Sequence, residues 1–308
     1  MTARIDICLC TFRRPALLLE ALGSLASLDW PAGLDGRIIV VDNDDSPSAE
    51  KVVTAFARNS PFPILYHHTD GRNISVARNA ALDLSDADLL AFLDDDERVS
   101  PAWLSEIHAR MKETEADVVL GPVRALYSAD APEWMQATRP HATEPVFVGG
   151  RIRTGYTCNV LMDRRSPHLK GMKFDPALGR SGGEDSAFFT EIARRGGTIA
   201  FAEDAIVVED VPADRASLSW LLLRRFRMGQ THGRVLCEGR GFAKRVSTAI
   251  VALAKVGYCL GSALLAFGSV PRRNLALMRG TLHAGTFAGA LGLRPITLYG
   301  GQTKGTPA

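Results

Sequence analysis

The 308-residue chain lacks the motifs that mark the commonest nucleotide-binding and metal-binding folds. No glycine-rich loop follows its first apolar stretch. Ile5-Asp6-Ile7-Cys8-Leu9-Cys10 runs into Thr11-Phe12-Arg13-Arg14-Pro15, which has neither the GxGxxG of a dinucleotide-binding fold nor the glycine-rich loop of a nucleotidyltransferase. Five cysteines, Cys8, Cys10, Cys158, Cys237 and Cys259, form no CxxC pair and no Cys/His zinc spacing. That argues against a disulfide framework and a structural metal, and for buried reduced thiols. The first residues lack a basic region followed by an apolar stretch and a cleavage site, so no signal peptide is expected and the bulk of the chain is expected in the cytoplasm. Acids are nearly missing from the last third: beyond Val211 only Asp214 and Glu238 stand against 14 Lys and Arg. Residues 1–211 hold 32 acids against 22 bases, so a formal net charge of +2 hides an acidic part joined to a basic one. The basic part suits an anionic surface.

Against these absences one stretch stands out. Leu89-Leu90-Ala91-Phe92-Leu93 is a short apolar run that ends in Asp94-Asp95-Asp96-Glu97. An apolar run of this length reads as a buried parallel strand, and such strands deliver their carboxyl ends to the ligand crevice of an open α/β sheet. If the chain stays extended, Asp94 and Asp96 lie on one side and Asp95 turns away. Paired carboxylates are hard ligands suited to Mg²⁺ or Mn²⁺ and substrate phosphates. Arg37-Ile38-Ile39-Val40-Val41-Asp42 repeats the design of strand followed by acid, with a helix expected over 48–58. Asp42 can serve a ribose hydroxyl or a base N–H, or simply cap and turn the chain.

The rest alternates strands and helices. Pro63–His68 reads as a strand, Gly71–Leu82 as a glycine turn and an amphipathic helix carrying Arg78 and Asn79, and Ser100-Pro101 as a helix start. Asp117–Val123 and Gly155–Met162 read as strands, and residues 127–145 as a long loop able to cover a substrate. Glu184 and Asp185 open a helix after Gly182-Gly183, where an acid complements the helix dipole or works on a ligand.

Taken together, Thr-Phe-Arg-Arg-Pro at 11–15, Val-Val-Asp-Asn at 40–43, Ala-Arg-Asn-Ala-Ala at 77–81, Leu-Asp-Asp-Asp-Glu at 93–97, Thr-Cys-Asn at 157–159 and Gly-Gly-Glu-Asp at 182–185 resemble the family 2 glycosyltransferases. The chain is especially similar to bacterial exopolysaccharide enzymes of the succinoglycan-biosynthesis type, from Ile5 to about Asp210. The resemblance implies a GT-A fold: an α/β, mixed but mainly parallel sheet flanked by helices, with a C-terminal helical membrane-associating extension. It implies that Thr11, Arg14, Asp42, Arg78, Asn79, Asp94, Asp95, Thr157, Asn159, Glu184 and Arg225 bind the nucleotide sugar. It further implies that Asp94 and Asp96 hold Mn²⁺ or Mg²⁺ and that Asp185 is the catalytic base. Cys158 stands where the family often has glycine. Processive relatives carry Gln-x-x-Arg-Trp where this chain has Arg224-Arg225-Phe226-Arg227-Met228-Gly229, which favours addition of a single sugar.

These residues suit transfer from a nucleotide-sugar donor to a hydroxyl, with inversion in one displacement; a non-catalytic nucleotide-sugar-binding or membrane scaffold protein is the alternative. Residues 1–215 are expected to form the catalytic domain and 216–308 a basic and apolar helical region. Within it, 246–268 is a 23-residue run with Lys255 as its one charge, flanked by Arg240, Lys244 and Arg245 before and Arg272 and Arg273 after. Positive charge on both flanks favours a helical hairpin or interfacial helices over a single span, with 275–293 as the second arm. The expected partners are the donor, a lipid-linked saccharide acceptor and an anionic membrane surface on the cytoplasmic face of the inner membrane. Nucleic acid is not expected, because long uncharged stretches separate the arginines.

Overall fold

The computed structural model describes residues 3–294 and 296. In chain order, β1 (Ala3–Thr11) leads through α1 (Pro15–Leu25) to β2 (Leu34–Asp42), then through α2 (Glu50–Ala57) to β3 (Ile64–His68) and through α3 (Ile74–Leu84) to β4 (Leu89–Asp94). After β5 (Glu97–Val99) come α4 (Trp103–Thr114), β6 (Val118–Leu120), β7 (Val123–Leu126) and α5 (Glu133–Thr138). The hairpin β8 (Phe147–Val148) and β9 (Arg151–Ile152) precedes β10 (Asn159–Asp163), α6 (Glu184–Arg194), β11 (Ile199–Phe201) and β12 (Val207–Asp210). Three helices close the chain: α7 (Leu218–Cys237), α8 (Phe242–Leu265) and α9 (Val270–Ala290).

The chain divides into two compact units. One holds Met1–Leu126, Ala142–Arg180 and Glu184–Asp210; the other holds Tyr127–His141, Ser181–Gly183 and Val211–Ala308. In the first, a seven-stranded sheet runs in the order β11-β6-β10-β4-β1-β2-β3, and only β10 lies antiparallel to its neighbours. Alternation along the strands sorts the core to its two faces. Ile5, Ile7, Leu9, Ile38, Val40, Leu89, Ala91 and Leu93 pack with Leu18 and Leu22 of α1 and Trp103 and Ile107 of α4. Cys8, Ile39, Val41, Leu90 and Phe92 pack with Ala77 and Ala81 of α3 and Phe188 and Phe189 of α6.

Three local expectations change. The strand expected over 117–123 breaks at Gly121-Pro122, because proline has no N–H for the ladder; β6 stays in the large sheet and β7 joins β5 and β12 in a three-stranded one. The strand expected from Gly155 begins at Asn159. The loop expected over 127–145 contains α5, whose buried Met135 packs with Leu221 and Met278 in the second unit.

In the second unit α7 and α9 approach closely. Gly229 and Gly233 face Gly285 and Gly289, and a Cβ on any of the four would meet backbone of the facing helix. α8 and α9 form the expected hairpin. α8 buries only the small residues Ala249, Ala252, Cys259 and Ala263, while Ile250, Val251, Leu253, Leu260, Leu264 and Leu265 are exposed. Among the described residues it is the helix long and apolar enough to cross a membrane.

Candidate active site

The parallel strands bring their carboxyl ends together. Thr11 at the end of β1 pairs with Asp42 at the end of β2, and Cys10 pairs with Asp94 at the end of β4. Past Asp94 the chain does not stay extended: Asp95 and Asp96 form a tight turn into β5. The buried Glu97 carboxylate closes that turn by accepting the Asp94 N–H at 2.8 Å. Asp94 and Asp96 therefore do not share a strand face. Instead, Arg14 Nη1 donates to Asp95 Oδ1 at 3.2 Å and to Asp96 Oδ2 at 2.8 Å, and Thr11 Oγ1 donates to Asp95 Oδ2 at 2.7 Å. The loop after β1 is thereby clamped to the acidic turn. Burial pushes the Asp95 carboxyl up, while Thr11 and Arg14 oppose the rise.

A second buried network lies beside the first. Arg78, on α3, donates from Nη1 to Glu184 Oε1 at 2.6 Å, and its Nη2 lies 3.9 Å from Asp94 Oδ1. Phe174 closes the guanidinium from one side, 5.6 Å from ring centroid to Cζ. One guanidinium thus stands between the acid of β4 and the acids that open α6. Burial pushes Asp185 up to about 6, the Glu184 charge adds to the rise and Arg78 opposes it. Burial also pushes Asp94 up to about 7, opposed by Arg78 and reinforced by Asp96, Asp95 and Glu209. The Asp94 side chain keeps 46% of its surface, so it is set deep yet reachable. Glu184 Oε2 is buried with no hydrogen-bond partner, a cost of about 1–3 kcal/mol unless a ligand group supplies one.

Other expected site residues are taken up by the fold around these networks. Asp42 accepts the N–H groups of Asp44 and Ala49 at 3.1 and 2.8 Å and the Tyr66 hydroxyl at 3.0 Å, which shapes the loop after β2. Asn79 exchanges two hydrogen bonds with the Phe174 backbone, both 2.8 Å. Asn159 accepts the Trp103 indole N–H at 2.9 Å and donates to the carbonyls of Pro122 and Ala205. Thr157 is buried just before it. Arg225 lies in the second unit, where it donates to the Pro140 carbonyl at 3.1 Å. Sequence reasoning passed over three contributors. Glu97 stood in the acidic run but reads there as its tail. Tyr66 and Trp103 carry no local signal, since their partners lie 24 and 56 residues away.

The donor chemistry suits a hard divalent cation. Asp96, Asp95 and Glu209 push the Asp94 carboxyl up, and Asp94, Glu209 and Asp96 push that of Glu97, so a cation at Asp94 would relieve that repulsion. Among the described residues Asp94, Glu97 and Cys158 hold donor atoms within 4.8 Å of one another. Burial keeps the Cys158 thiol well above its ordinary pKa, so the oxygens are the better ligands. Asp96 is engaged by Arg14.

The family model "Glycosyl transferase family 2" matches residues 6–174 of this chain. Succinoglycan biosynthesis protein ExoM of Rhizobium meliloti (strain 1021) is 50% identical over 301 residues, which is 98% of this chain and 97% of that protein. Among solved structures, the mannosyltransferase PcManGT from Pyrobaculum calidifontis, in complex with GDP-Man and Mn²⁺, superposes with a TM-score of 0.63 at 18% identity, covering 94% of this chain and 87% of the other. Residues 1–349 of TarS from S. aureus, in complex with UDP-GlcNAc, superpose with a TM-score of 0.54 at 16% identity, covering 94% and 92%. At such identities the two structures speak to the fold.

Proposed function

This chain belongs to glycosyl transferase family 2 and has the GT-A fold, and from that membership we propose that it transfers one hexose, with inversion, from a nucleotide-sugar donor to a saccharide hydroxyl in succinoglycan-type exopolysaccharide synthesis. The observation that carries the reading is the Asp94–Arg78–Glu184–Asp185 network at the carboxyl end of the sheet. It sets a reachable acid and a proton acceptor of pKa about 6 on either side of one buried guanidinium. The relative named for succinoglycan biosynthesis supports the pathway, and the GDP-Man with Mn²⁺ and the UDP-GlcNAc bound in the two solved structures support a nucleotide sugar with a divalent cation.

In this reading Asp185 takes the proton from the acceptor hydroxyl as it attacks the anomeric carbon. A carboxylate with a pKa near 6 is mostly ionised at pH 7 and still basic enough to accept that proton. Glu184 Oε2, buried and unpartnered, receives a hydroxyl of the bound sugar. Asp94, with Asp96 once released from Arg14, would hold Mn²⁺ or Mg²⁺, and that ion would supply positive charge to the diphosphate leaving group. Thr11, Arg14 and Asp95 hold the acidic turn under the nucleotide, and Asp42, Asn79, Thr157 and Asn159 shape the walls of the donor site. Arg78 favours the ionised forms of Asp94 and Asp185. A UDP-hexose is the donor expected, and an α-linked donor gives a β-linked product. We assign residues 1–215 to catalysis and 216–308 to attachment at an anionic membrane surface, on the cytoplasmic face of the inner membrane, where a lipid-linked acceptor resides. The exposed apolar side of α8 and the excess of Lys and Arg after Val211 support that attachment.

The test is donor turnover and transfer by the purified chain across a panel of nucleotide sugars, with Mn²⁺ or with EDTA, beside Asp185→Asn. We expect one donor to be used, no transfer in EDTA, and a drop of about 10²–10⁴-fold in the variant with donor binding kept. Donor binding without turnover, even with membrane extract supplying acceptor, would favour a non-catalytic binding protein. An α-linked product by NMR would overturn inversion.

A further inference from the structure

A second cleft, of about 670 Å³, runs along β11, the edge strand of the large sheet, and is walled by the β8–β9 hairpin. Its volume is that of a small-molecule site. The hairpin turns through Gly149 and Gly150, both with positive φ (59° and 76°), the tight two-residue turn that suits the twist of the paired strands. That turn fixes what the hairpin presents. Ile152 is buried in the core and Phe147 packs edge-on against Phe201 of β11, with centroids 6.5 Å apart. Arg151 and Arg153 are exposed and line the cleft, and their guanidinium groups have no hydrogen-bond or ion-pair partner among the described residues. Arg110 lines it too, held by the Phe201 carbonyl at 3.0 Å and by Glu113. Glu203 is the acid in the lining. Beside the arginines, Val146, Phe147 and Val148 leave 66%, 56% and 55% of their surface in water.

Two unpaired guanidinium groups next to three exposed apolar side chains match one kind of ligand: an anionic phosphate bonded to an apolar chain. Its position relative to the catalytic groups follows from the register. Phe201 pairs with Leu120, Leu120 with Val160, and Asn159 with Leu93, so Phe201 lies at the same end of the sheet as Asp94, three strand spacings or roughly 14 Å across. We propose that this cleft binds the phosphate and adjoining alkyl segment of the lipid-linked acceptor, whose saccharide crosses the intervening strands to Asp185. The inference rests on the reading of the chain as a glycosyltransferase with a lipid-linked acceptor.

The experiment uses the full chain and farnesyl diphosphate as probe, with binding followed by titration calorimetry. We expect saturable binding that weakens about tenfold for each arginine lost in Arg151→Gln and Arg153→Gln, and that weakens again in Phe147→Ser. Inorganic diphosphate and farnesol alone should each bind at least tenfold more weakly than the joined molecule. Equal binding by wild type and the double arginine variant would overturn the proposal. Displacement of the probe by phosphatidylglycerol vesicles would also overturn it, in favour of a general lipid contact. Donor turnover measured alongside separates the two readings: in all four variants hydrolysis of the nucleotide sugar should match wild type. Loss of donor turnover in wild type itself would strike the glycosyltransferase reading and leave the cleft measurement standing.

Discussion

Replacing Arg78 by Met removes a buried guanidinium from among Glu184, Asp94 and Asp185 while keeping most of the aliphatic packing against Phe174. Arg78 opposes the rise of Asp185, which stands at about 6 with the arginine present. Loss of an opposite charge at this range shifts a carboxylate up by about 1–3 units. With Asp185 as the proposed base, the acidic limb of the pH–rate profile should then move from about 6 to roughly 7–9, since that carboxylate must be ionised to work. At pH 7 the ionised fraction of Asp185 falls from about nine-tenths to between about one-half and one-hundredth, so kcat/KM drops roughly 2- to 90-fold by that route alone, and raising the pH recovers it. Stability falls as well. Breaking a buried pair by removing one partner costs about 3–5 kcal/mol, because Glu184 is left buried and uncompensated. Adding Glu184→Gln removes that stranded charge and should return part of the loss, giving a coupling energy of at least about 1 kcal/mol in the double-mutant cycle. The assays are kcat/KM from pH 5.5 to 9.5 and urea midpoints of the four proteins. An unchanged acidic limb together with additive midpoints would refute the account of this network.

Two further outcomes follow from other parts of the chain. His141 sits between the Tyr127 hydroxyl, 2.9 Å from Nδ1, and the Arg215 carbonyl, 3.2 Å from Nε2, and burial with the nearby arginines depresses it from 6.5 to about 4. The unfolded chain takes up its proton first, so this contribution is intact above pH 6.5 and is lost as pH falls toward 4, amounting to about 1–2 kcal/mol once solvent screening is discounted. Urea midpoints at pH 7 and pH 4.5 should separate more in wild type than in His141→Phe; equal separation would argue against it. Trp103→Phe deletes the indole donor to Asn159 Oδ1 and leaves that buried oxygen short of a partner, which should cost about 1–3 kcal/mol in thermal or urea unfolding and, by loosening Asn159 beside Leu93, reduce activity. A variant as stable as wild type would mean that water replaces the indole.

The sequence by itself determined the strands and the ends that carry function. The apolar alternation over 5–10 and the continuous apolar runs at 38–41 and 89–93 mark these segments as strands, and each stops at a polar residue, Thr11, Asp42 or Asp94. Strand and helix periodicities are local, so they survive without a partner in view. The helices of the last third were legible for the same reason, and so was the apolar, positively flanked character of α8. Only the tertiary structure decided how the acids are used. Asp95 and Asp96 leave the strand because Glu97 folds back on the Asp94 N–H and β5 must pair with β12, more than a hundred residues on. Arg14 meets the acidic turn across 81 residues and Arg78 meets Glu184 across 106. Charge pairs of that span carry no periodic signal, since a side chain's partner is set by which strand ends the sheet order brings together. The same holds for Asn159 and Asp42, whose residue types suit a ligand as well as a loop. Burial and the count of satisfied hydrogen bonds separate those uses, and both exist only once the chain has folded.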